Sequence, residues 1–259
     1  MKDKKSNLLL FLSGIFITNA ILAELTGIKI FSAEETLGIP PANILLLGDY
    51  ILDFNLTAGV ILWPVVFITT DIINEYYGKE GVKKVSYLTI SLIAYAFIAI
   101  YIITKLAPAK FWLEVNNVDA GGKSFDINYA FNTVFTQGMG IIIASIIAFL
   151  VGQLLDVYVF HRLRRMTGEK MIWLRATGST LISQLVDSFL VLFIAFYVLG
   201  NWSVEQTVSV GIINYIYKFM VAIAITPLLY VAHYLIDRYL GKEKASQMME
   251  EAAKDRTFL

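Results

Sequence analysis

The chain has 259 residues, of which 57% are hydrophobic and 16% are charged, and its formal net charge is zero. Soluble domains average about 45–50% apolar and about 25% charged residues, so this composition excludes a soluble globular protein. The mean hydropathy of +0.66 agrees with that exclusion. The apolar runs show no strand alternation, and only helices and closed barrels satisfy the backbone in lipid. We therefore expect an all-α, polytopic membrane helical bundle.

Six apolar runs are long enough to cross a bilayer, which takes about 20 residues of helix. They are residues 8–28, 56–76, 85–106, 138–160, 177–199 and 208–234. The first run is longer than a signal-peptide core and lacks a small-residue cleavage site, so we interpret it as a retained span. A shorter run, 44–52, is interrupted by Gly48 and Asp49, which favours an interfacial or re-entrant segment. Pro64 and Pro227 are interpreted as helix kinks.

Basic residues concentrate on one side of the six predicted spans. That side comprises both termini and the second and fourth links, and it has Lys2, Lys4, Lys5, Lys79, Lys83, Lys84, Arg162, Arg164, Arg165, Lys170, Arg175, Arg238, Lys242, Lys244, Lys254 and Arg256. The opposite side has Lys29, Lys105, Lys110 and Lys123, and Lys218 lies within the sixth span. Because basic links stay in the cytoplasm, we expect both termini to be cytoplasmic. Residues 1–241 then form the transmembrane domain, and 242–259 a cytoplasmic tail that is either a helix or loose.

The end of the second run, T-T-D-I-I-N-E-Y-Y-G-K at 69–79, has three polar residues at helical spacing. Asp71, Asn74 and Glu75 share one face. A carboxylate near hydrocarbon is costly and normally faces a polar interior, a cation or a ligand. The other polar candidates within the spans are Asn19, Glu24, Gln153, Asp156, Ser183, Gln184, Asp187, Ser188, Asn214 and Lys218. Five of the six spans have a carboxylate or an amide, which predicts a polar midplane cavity for a flat polar solute.

Each of these groups also has a structural interpretation. Asp187 and Lys218 lie at similar depth, as expected for an ion pair. Glu75 is one turn from Lys79, which is a second candidate pair. Asp156 is close enough in sequence to the basic fourth link to pair there. Amides also hold membrane helices together by hydrogen bonds. The candidates for that role are Asn19, Gln153 and Gln184.

The motifs of several enzyme classes are absent from the sequence. There is no cysteine, no G-x-S-x-G and no H-E-x-x-H. His161 and His233 are far apart in the sequence, so we expect no histidine metal centre. We accordingly expect neither an enzyme nor a bound metal or cofactor. The phosphate-binding G-x-x-x-x-G-K-[ST] loop is also absent, so the chain does not hydrolyse ATP to power transport itself.

Four segments together identify a family. They are T-D-I-I-N-E-Y-Y-G-K at 70–79, Q-L-L-D-V-Y-V-F-H-R-L-R-R at 153–165, L-R-A-T-G-S-T-L-I-S-Q-L-V-D-S-F at 174–189 and K-F-M-V-A-I-A-I-T-P-L-L-Y at 218–230. These segments resemble the queuosine precursor transporter family, also called vitamin-uptake-transporter-like proteins. The resemblance covers nearly the whole chain. It implies a six-span inner-membrane importer of 7-cyano-7-deazaguanine and 7-aminomethyl-7-deazaguanine, which are used to make a modified tRNA base.

The resemblance also implies a set of substrate-binding residues. They are Asp71, Asn74, Glu75, Gln153, Asp156, Ser179, Gln184, Asp187 and Lys218. A deazaguanine presents an amine and ring N–H donors beside a carbonyl acceptor, so we expect Asp187 or Glu75 to accept from that edge. A second carboxylate, Asp71 or Glu24, is expected to neutralise the aminomethyl cation. The amides expected to complete the site are Asn19, Asn74 and Gln184.

A second transport hypothesis is a substrate-binding membrane subunit of a vitamin importer that uses an external ATPase. The size and the span count fit both hypotheses. The expected partners are a small deazapurine and the lipid bilayer, with no nucleic acid. A homodimer is a further expectation. The sequence does not separate proton-coupled from facilitated transport.

Overall fold

The computed structural model describes residues 2–27, 29–45, 51–137, 142–167, 171–198 and 202–254. The described chain is mainly helical. Its helices are α1 (Lys2–Thr26), α2 (Ala33–Leu37), α3 (Trp63–Thr104), α4 (Lys110–Val115), α5 (Ile127–Gln137), α6 (Ile142–Thr167), α7 (Ile172–Leu192), α8 (Val204–Leu240) and α9 (Lys242–Lys254). Helices α1, α3, α6, α7 and α8 are long and apolar enough to cross a membrane. The predicted all-α membrane bundle is confirmed at this level.

The predicted first, fourth, fifth and sixth spans correspond to α1, α6, α7 and α8. Predicted residues 28, 138–141 and 199 lie outside the described residues. Helix α7 begins at Ile172, earlier than predicted, and continues beyond Leu192 as a π-helix, Phe193–Val198. This earlier start moves Arg175 from a link into a helix.

The predicted second and third spans both lie within α3, which changes direction at Gly78. Gly78 has φ +69° and ψ −170°, a conformation that glycine adopts without steric cost. A Cβ atom at Gly81 would lie 3.3 Å from Cγ2 of Ile73. Residues eight apart in a straight helix are separated by about 12 Å along its axis, so the chain turns sharply at Gly78. Residues 63–77 and 79–104 are thus two separate helical segments, and the count of six crossings stays a prediction.

The start of the second span was predicted too early. Residues 55–57 form a strand and Ala58–Ile61 a 3-10 turn, so α3 begins only at Trp63. Pro64 lies in the first turn of α3, where its missing N–H costs no helical hydrogen bond. Its interpretation as a kink is therefore wrong. Pro227 does lie inside α8.

Four short strands lie in the link between α1 and α3, where the sequence predicted none. β1 (Ile30–Ser32) pairs antiparallel with β4 (Asn55–Thr57), and β2 (Ile44–Leu45) pairs antiparallel with β3 (Ile51–Leu52). The run predicted as interfacial or re-entrant thus has a paired strand at each end, while its Gly48 and Asp49 lie outside the described residues.

The long helices pack side by side in alternating directions. The hydroxyl of Tyr77 on α3 donates to the carbonyl of Lys5 near the start of α1. At the other end of the same pair, a Cβ at Gly59 would lie 2.5 Å from the carbonyl oxygen of Ala23. Residues 63–77 are therefore antiparallel to α1. Contacts described below show that α6 and α7 are antiparallel, and so are α7 and α8.

Helix α9 covers one end of this bundle, which we call the α9 end. Its Ala245 and Met248 belong to the main hydrophobic core, and Ala252 is also buried. Lys5 near the N-terminus pairs with Glu251 of α9 at 3.5 Å. Lys4 donates to the carbonyl of Tyr239 near the end of α8 at 3.0 Å. The two termini therefore lie at the same end, and the end with the β-strands is called the link end.

The outer faces of the long helices are apolar. Leu10 of α1, Ile98 of α3 and Val231 of α8 are each more than half exposed. Polar side chains such as Asn74 are fully buried instead. An apolar exterior around a polar interior suits a bundle surrounded by lipid.

The Gly78 turn provides a test of the fold. Gly78→Ala is expected to lower the free energy of unfolding by about 1–3 kcal/mol, because alanine is strained at this positive φ. The new Cβ would also lie 3.3 Å from the carbonyl oxygen of Ala252. Thermal unfolding in detergent measures the loss. The matched control is Gly14→Ala, since a Cβ there has no atom within 4 Å. Equal stability of the two variants would contradict the assigned turn.

Candidate functional site

Glu75 is the centre of a buried ion cluster at the α9 end. Arg175 of α7 donates to both of its carboxylate oxygens, from Nε to Oε2 at 3.0 Å and from Nη2 to Oε1 at 2.6 Å. Arg164 of α6 lies 3.4 Å from Oε1. Glu75 and Arg175 are almost inaccessible, with exposures of 2% and 1%. Paired, two-point contact is the geometry in which an arginine and a carboxylate bind most strongly.

Arg164 also joins three elements at this end. Its guanidinium donates to the backbone carbonyl of Glu75 at 3.3 Å and to the carbonyl of Met249 on α9 at 2.5 Å. The side chain is only 7% exposed. The ion cluster thus links α3, α6, α7 and α9 and closes the α9 end of the bundle.

The sequence analysis placed Arg164 and Arg175 among the basic link residues and gave them no role in the site. In the structure, both lie inside helices and contact Glu75, for which Lys79 was the candidate partner in the structural interpretation. A buried carboxylate without a cation is costly, so the acidic face of 69–79 required a cation from another helix. From the sequence alone, this requirement predicts that a cation contacts the carboxylate. Which helix supplies that cation depends on how the helices pack.

A second polar network adjoins the ion cluster. The Tyr76 hydroxyl donates to Asp237 at 2.8 Å and lies 2.9 Å from Nδ1 of His233. His233 and Tyr76 are buried. This network fastens α3 to α8. Sequence reasoning missed it, because Tyr76 is 157 residues from His233 and 161 from Asp237.

Between the two ends lies a set of buried polar side chains that we call the central polar layer. Its members are Asp71, Asn74, Gln153, Asp156, Ser179 and Gln184, all less than 9% exposed. Asp156 of α6 accepts from Ser183 of α7 at 3.3 Å. Asp71 borders a crevice together with Thr180 of α7, which is one turn before Ser183. The structure therefore brings together predicted residues from the second, fourth and fifth spans.

Most members of the central polar layer have unused hydrogen-bonding atoms. Within the described residues, no partner is found for Oδ1 of Asp71, either amide atom of Asn74, Oδ2 of Asp156, or Oε1 of the two glutamines, Gln153 and Gln184. A buried polar group without a partner costs about 1–3 kcal/mol. Several such groups at one depth form a region whose hydrogen-bonding capacity ordered water or a polar ligand would satisfy.

A third polar group lies towards the link end. Asp187 of α7 and Lys218 of α8 form an ion pair at 2.5 Å, as the structural interpretation predicted. Glu24 of α1 accepts from Ser145 of α6 at 2.6 Å. A Cβ at Gly152 would lie 3.5 Å from that of Asp187, so α6 and α7 approach closely here. We call these residues the link-end cluster.

Asn19 forms its hydrogen bond within its own helix and not with these groups. Its side-chain amide donates to the carbonyl of Ile15 in its own helix at 2.9 Å. The predicted bond between helices is therefore not the one formed. Asn19 is half-buried, about five residues from Glu24 along α1.

The order of the three groups is the same along each helix that contributes to them. On α7, Arg175 is followed by Ser183 and then by Asp187, about 18 Å from Arg175 along the axis. On α6, which runs the other way, Arg164 contacts the same carboxylate as Arg175, and Asp156 contacts Ser183. The central polar layer is therefore bracketed by an ion-paired cluster on each side.

The space beside the central polar layer is small in this conformation. A crevice of about 10 Å³, room for about one water molecule, is bordered by Asp71, Thr177, Thr180 and Thr226. A larger cavity of about 470 Å³ lies between α7 and α8, but its walls are apolar apart from Thr207. It contains none of the predicted site residues. Among the described residues, the crevice found beside Asp71 is too small for a purine-sized solute, so binding there requires the helices to separate.

No cluster of histidine and acidic side chains suited to a metal ion is found among the described residues. The carboxylates of the bundle face cations, hydroxyls or one another instead. The polar side chains of the bundle can therefore form hydrogen bonds and compensate charge.

Comparison with known proteins gives the family. A model of the family described as "Putative vitamin uptake transporter" matches residues 57–232, more than half of the chain. The chain belongs to this family. The matched region contains α3, α6 and α7 and therefore the whole central polar layer. Because the family consists of transporters, this member is not an enzyme.

Curated relatives point the same way. The chain is 31% identical to a "Probable queuosine precursor transporter" of Bacillus subtilis over 71% of this chain and 75% of the relative. It is 30% identical to a protein of the same description from Haemophilus influenzae, over 66% of this chain and 65% of that one. It is 27% identical to the "Queuosine precursor transporter" of Escherichia coli, over 67% and 70%. No solved structure matches the chain.

The α9-end ion cluster makes a stability prediction for this transporter. Arg175→Met is expected to lower the free energy of unfolding by about 3–5 kcal/mol, because it leaves the Glu75 charge buried with only the more distant Arg164. Adding Glu75→Gln to that variant is expected to restore part of the loss. Thermal and denaturant unfolding in detergent measure both effects.

The matched control is Lys83→Met, which breaks a partly exposed pair with Glu80 at 3.7 Å. Exposed pairs contribute less than about 1 kcal/mol, so this variant should unfold almost as the parent does. If Arg175→Met is no more damaging than Lys83→Met, the ion cluster is not the constraint described above.

Proposed function

We propose that this transporter imports the queuosine precursors 7-cyano-7-deazaguanine and 7-aminomethyl-7-deazaguanine across the cytoplasmic membrane. The observation that carries the proposal is the central polar layer, with its unpartnered carboxylate and amide atoms at one depth. The curated relatives named queuosine precursor transporters support the same solute class. No comparable observation favours the ATPase-driven importer subunit.

The chemistry of the layer complements a deazaguanine. The exocyclic amine and the adjacent ring N–H are donors, and a carboxylate accepts both side by side. Glu75 and Asp187 are already bound by Arg175 and Lys218, so we assign this role to Asp71 rather than to either of them. The amides Asn74, Gln153 and Gln184 supply the donors and acceptors for the rest of the ring.

The ion clusters on either side then act as the walls of the closed state. The α9-end cluster is the tighter wall, because its side chains are 1–7% exposed against 15% and 19% for Lys218 and Asp187. Access from each side requires one cluster to open while the other stays paired. Glu24, Ser179 and Asn19 complete the proposed binding region.

We further propose six crossings, with both termini in the cytoplasm. The shared position of the N-terminus, the Gly78 turn, Arg164 and α9 at one end supports this arrangement. This end also has most of the basic residues, apart from Lys170 and Arg256, which lie outside the described residues. A homodimer stays a prediction.

Single cysteines test the topology, since the chain has none of its own. Glu35→Cys and Glu114→Cys lie in the links before and after α3, and Ala253→Cys lies in α9. With six crossings, a membrane-impermeant maleimide should label positions 35 and 114 on intact cells and position 253 only after lysis. If α3 crossed the membrane once, positions 35 and 114 would lie on opposite sides.

Uptake tests the function. In cells that cannot make deazaguanines, the chain should restore queuosine in tRNA at limiting external precursor. Asn74→Leu and Gln184→Leu should each reduce uptake by at least about tenfold, because a hydrogen bond to a buried polar group contributes about 1–3 kcal/mol.

The matched control for these variants is Asn117→Leu, an exposed amide in the link after α3. It should transport as the parent does, and all variants must reach the membrane in equal amounts. Failure of the parent to restore queuosine despite good expression would reject the proposed solute. Full activity of both core variants would remove the central polar layer from the site.

A further inference from the structure

The buried carboxylates of the bundle are of two kinds. Glu75 and Asp187 each contact a cation, at 2.6 Å from Arg175 and 2.5 Å from Lys218. Asp71 and Asp156 are each only 6% exposed, yet neither forms an ion pair within the described part of the chain. In the described ranges, no basic side chain forms an ion pair with this second pair of carboxyl groups.

The two unpaired carboxyl groups face the same turn of α7. Thr180 borders the crevice together with Asp71, and Ser183, one turn further on, donates to Asp156. One turn from Asp71, the fully buried Asn74 has no partner for its amide nitrogen or oxygen among the described residues. An unpartnered amide beside unpaired carboxylates indicates an incomplete binding site.

Charged groups on the surrounding helices have interactions of their own. They are Glu24 on α1, Glu75 and Lys79 on α3, His161 and Arg164 on α6, Arg175 and Asp187 on α7, and Lys218 and His233 on α8. The two arginines contact Glu75, Lys218 contacts Asp187, and the His233 ring lies against the Tyr76 hydroxyl. Two neighbouring carboxylates in a low-dielectric interior bind a positive charge strongly, because it is costly to keep both ionised without one.

We propose that the Asp71–Asp156 pair binds one positive charge in each transport cycle, and that this charge has two sources. With a neutral solute, it is a proton, taken up from outside by a carboxylate oxygen and released to the cytoplasm when the solute leaves. With a cationic solute, it is the ammonium group of the solute itself. This inference rests on the proposed function.

The two precursors differ in charge, as the two sources of positive charge require. The cyano form is neutral, whereas the aminomethyl form carries an ammonium. Each therefore crosses with one net positive charge, but only the cyano form brings a proton. The same site thereby accepts two solutes of different charge, and both are driven by a membrane potential that is negative inside.

Proteoliposomes containing the purified full-length chain test the inference. An interior-negative potential of about 60 mV is expected to drive about tenfold accumulation of either precursor, since one charge is moved. A pH-sensitive dye in the lumen should report acidification with the cyano form and none with the aminomethyl form. The second precursor is thus an internal control for the first.

Solute exchange without a potential separates the inference from the function on which it rests. If both precursors exchange but the cyano form moves no proton, the inference is wrong and the proposed function stands. If the aminomethyl form also acidifies the lumen, the inference is wrong as well. If neither precursor exchanges, both the function and the inference are rejected.

A single substitution tests whether the proton binds at the Asp71–Asp156 pair. Asp156→Asn should abolish lumen acidification by the cyano form and reduce uptake of the aminomethyl form by at least about tenfold. The control, Glu80→Gln, removes an exposed carboxylate of α3 and should keep both activities. Thermal unfolding establishes that Asp156→Asn is folded. Unchanged proton movement in folded Asp156→Asn would show that the charge is bound elsewhere.

Discussion

The two-point contact between Glu75 and Arg175 is the constraint on which the rest of the bundle depends. Both charges are almost fully buried, so neither tolerates the loss of the other. The contact fixes the position of α7 against α3, and Arg164 extends it to α6 and to the carbonyl of Met249 on α9. The helices that contribute the central polar layer are thereby held at one relative depth. A shift of one helical turn would break the pair and separate Asp71 from Asp156.

Because charged side chains pair with each other at the two ends of the bundle, the polar side chains without partners are those between the ends. Glu75 and Asp187 are satisfied within the chain, whereas Asp71, Asn74 and Gln184 retain unused hydrogen-bonding atoms. Unused polar atoms in a packed interior reduce stability, and a transporter regains that free energy when a complementary solute binds. The small crevice at this point agrees with this exchange of stability for solute binding. A closed centre between two ion-paired walls is the expected resting geometry of a carrier that opens to one side at a time.

Membership of the vitamin uptake transporter family and the polar layer support the same conclusion by different routes. The family match covers residues 57–232, which include every helix of the layer, and curated relatives are named for queuosine precursors. The geometry identifies the side chains that have unused hydrogen-bonding atoms for a solute. It moves the proposed recognition of the guanine-like edge from Glu75 and Asp187 to Asp71. In the proposed mechanism, the Asp71–Asp156 pair lets one site serve a neutral and a cationic precursor.

The sequence by itself determined the membrane class, the positions of the long helices and the polar face of residues 69–79, because hydropathy and helical spacing are local properties. It also predicted the pairing of Asp187 with Lys218 from their similar depth. Only the tertiary structure decided that Glu75 pairs with Arg175, that α3 turns at Gly78, and that no basic side chain of the described segments pairs with the central carboxylates. These features depend on which helix packs against which, and residues 100 positions apart, such as Glu75 and Arg175, leave no periodic signal of their contact.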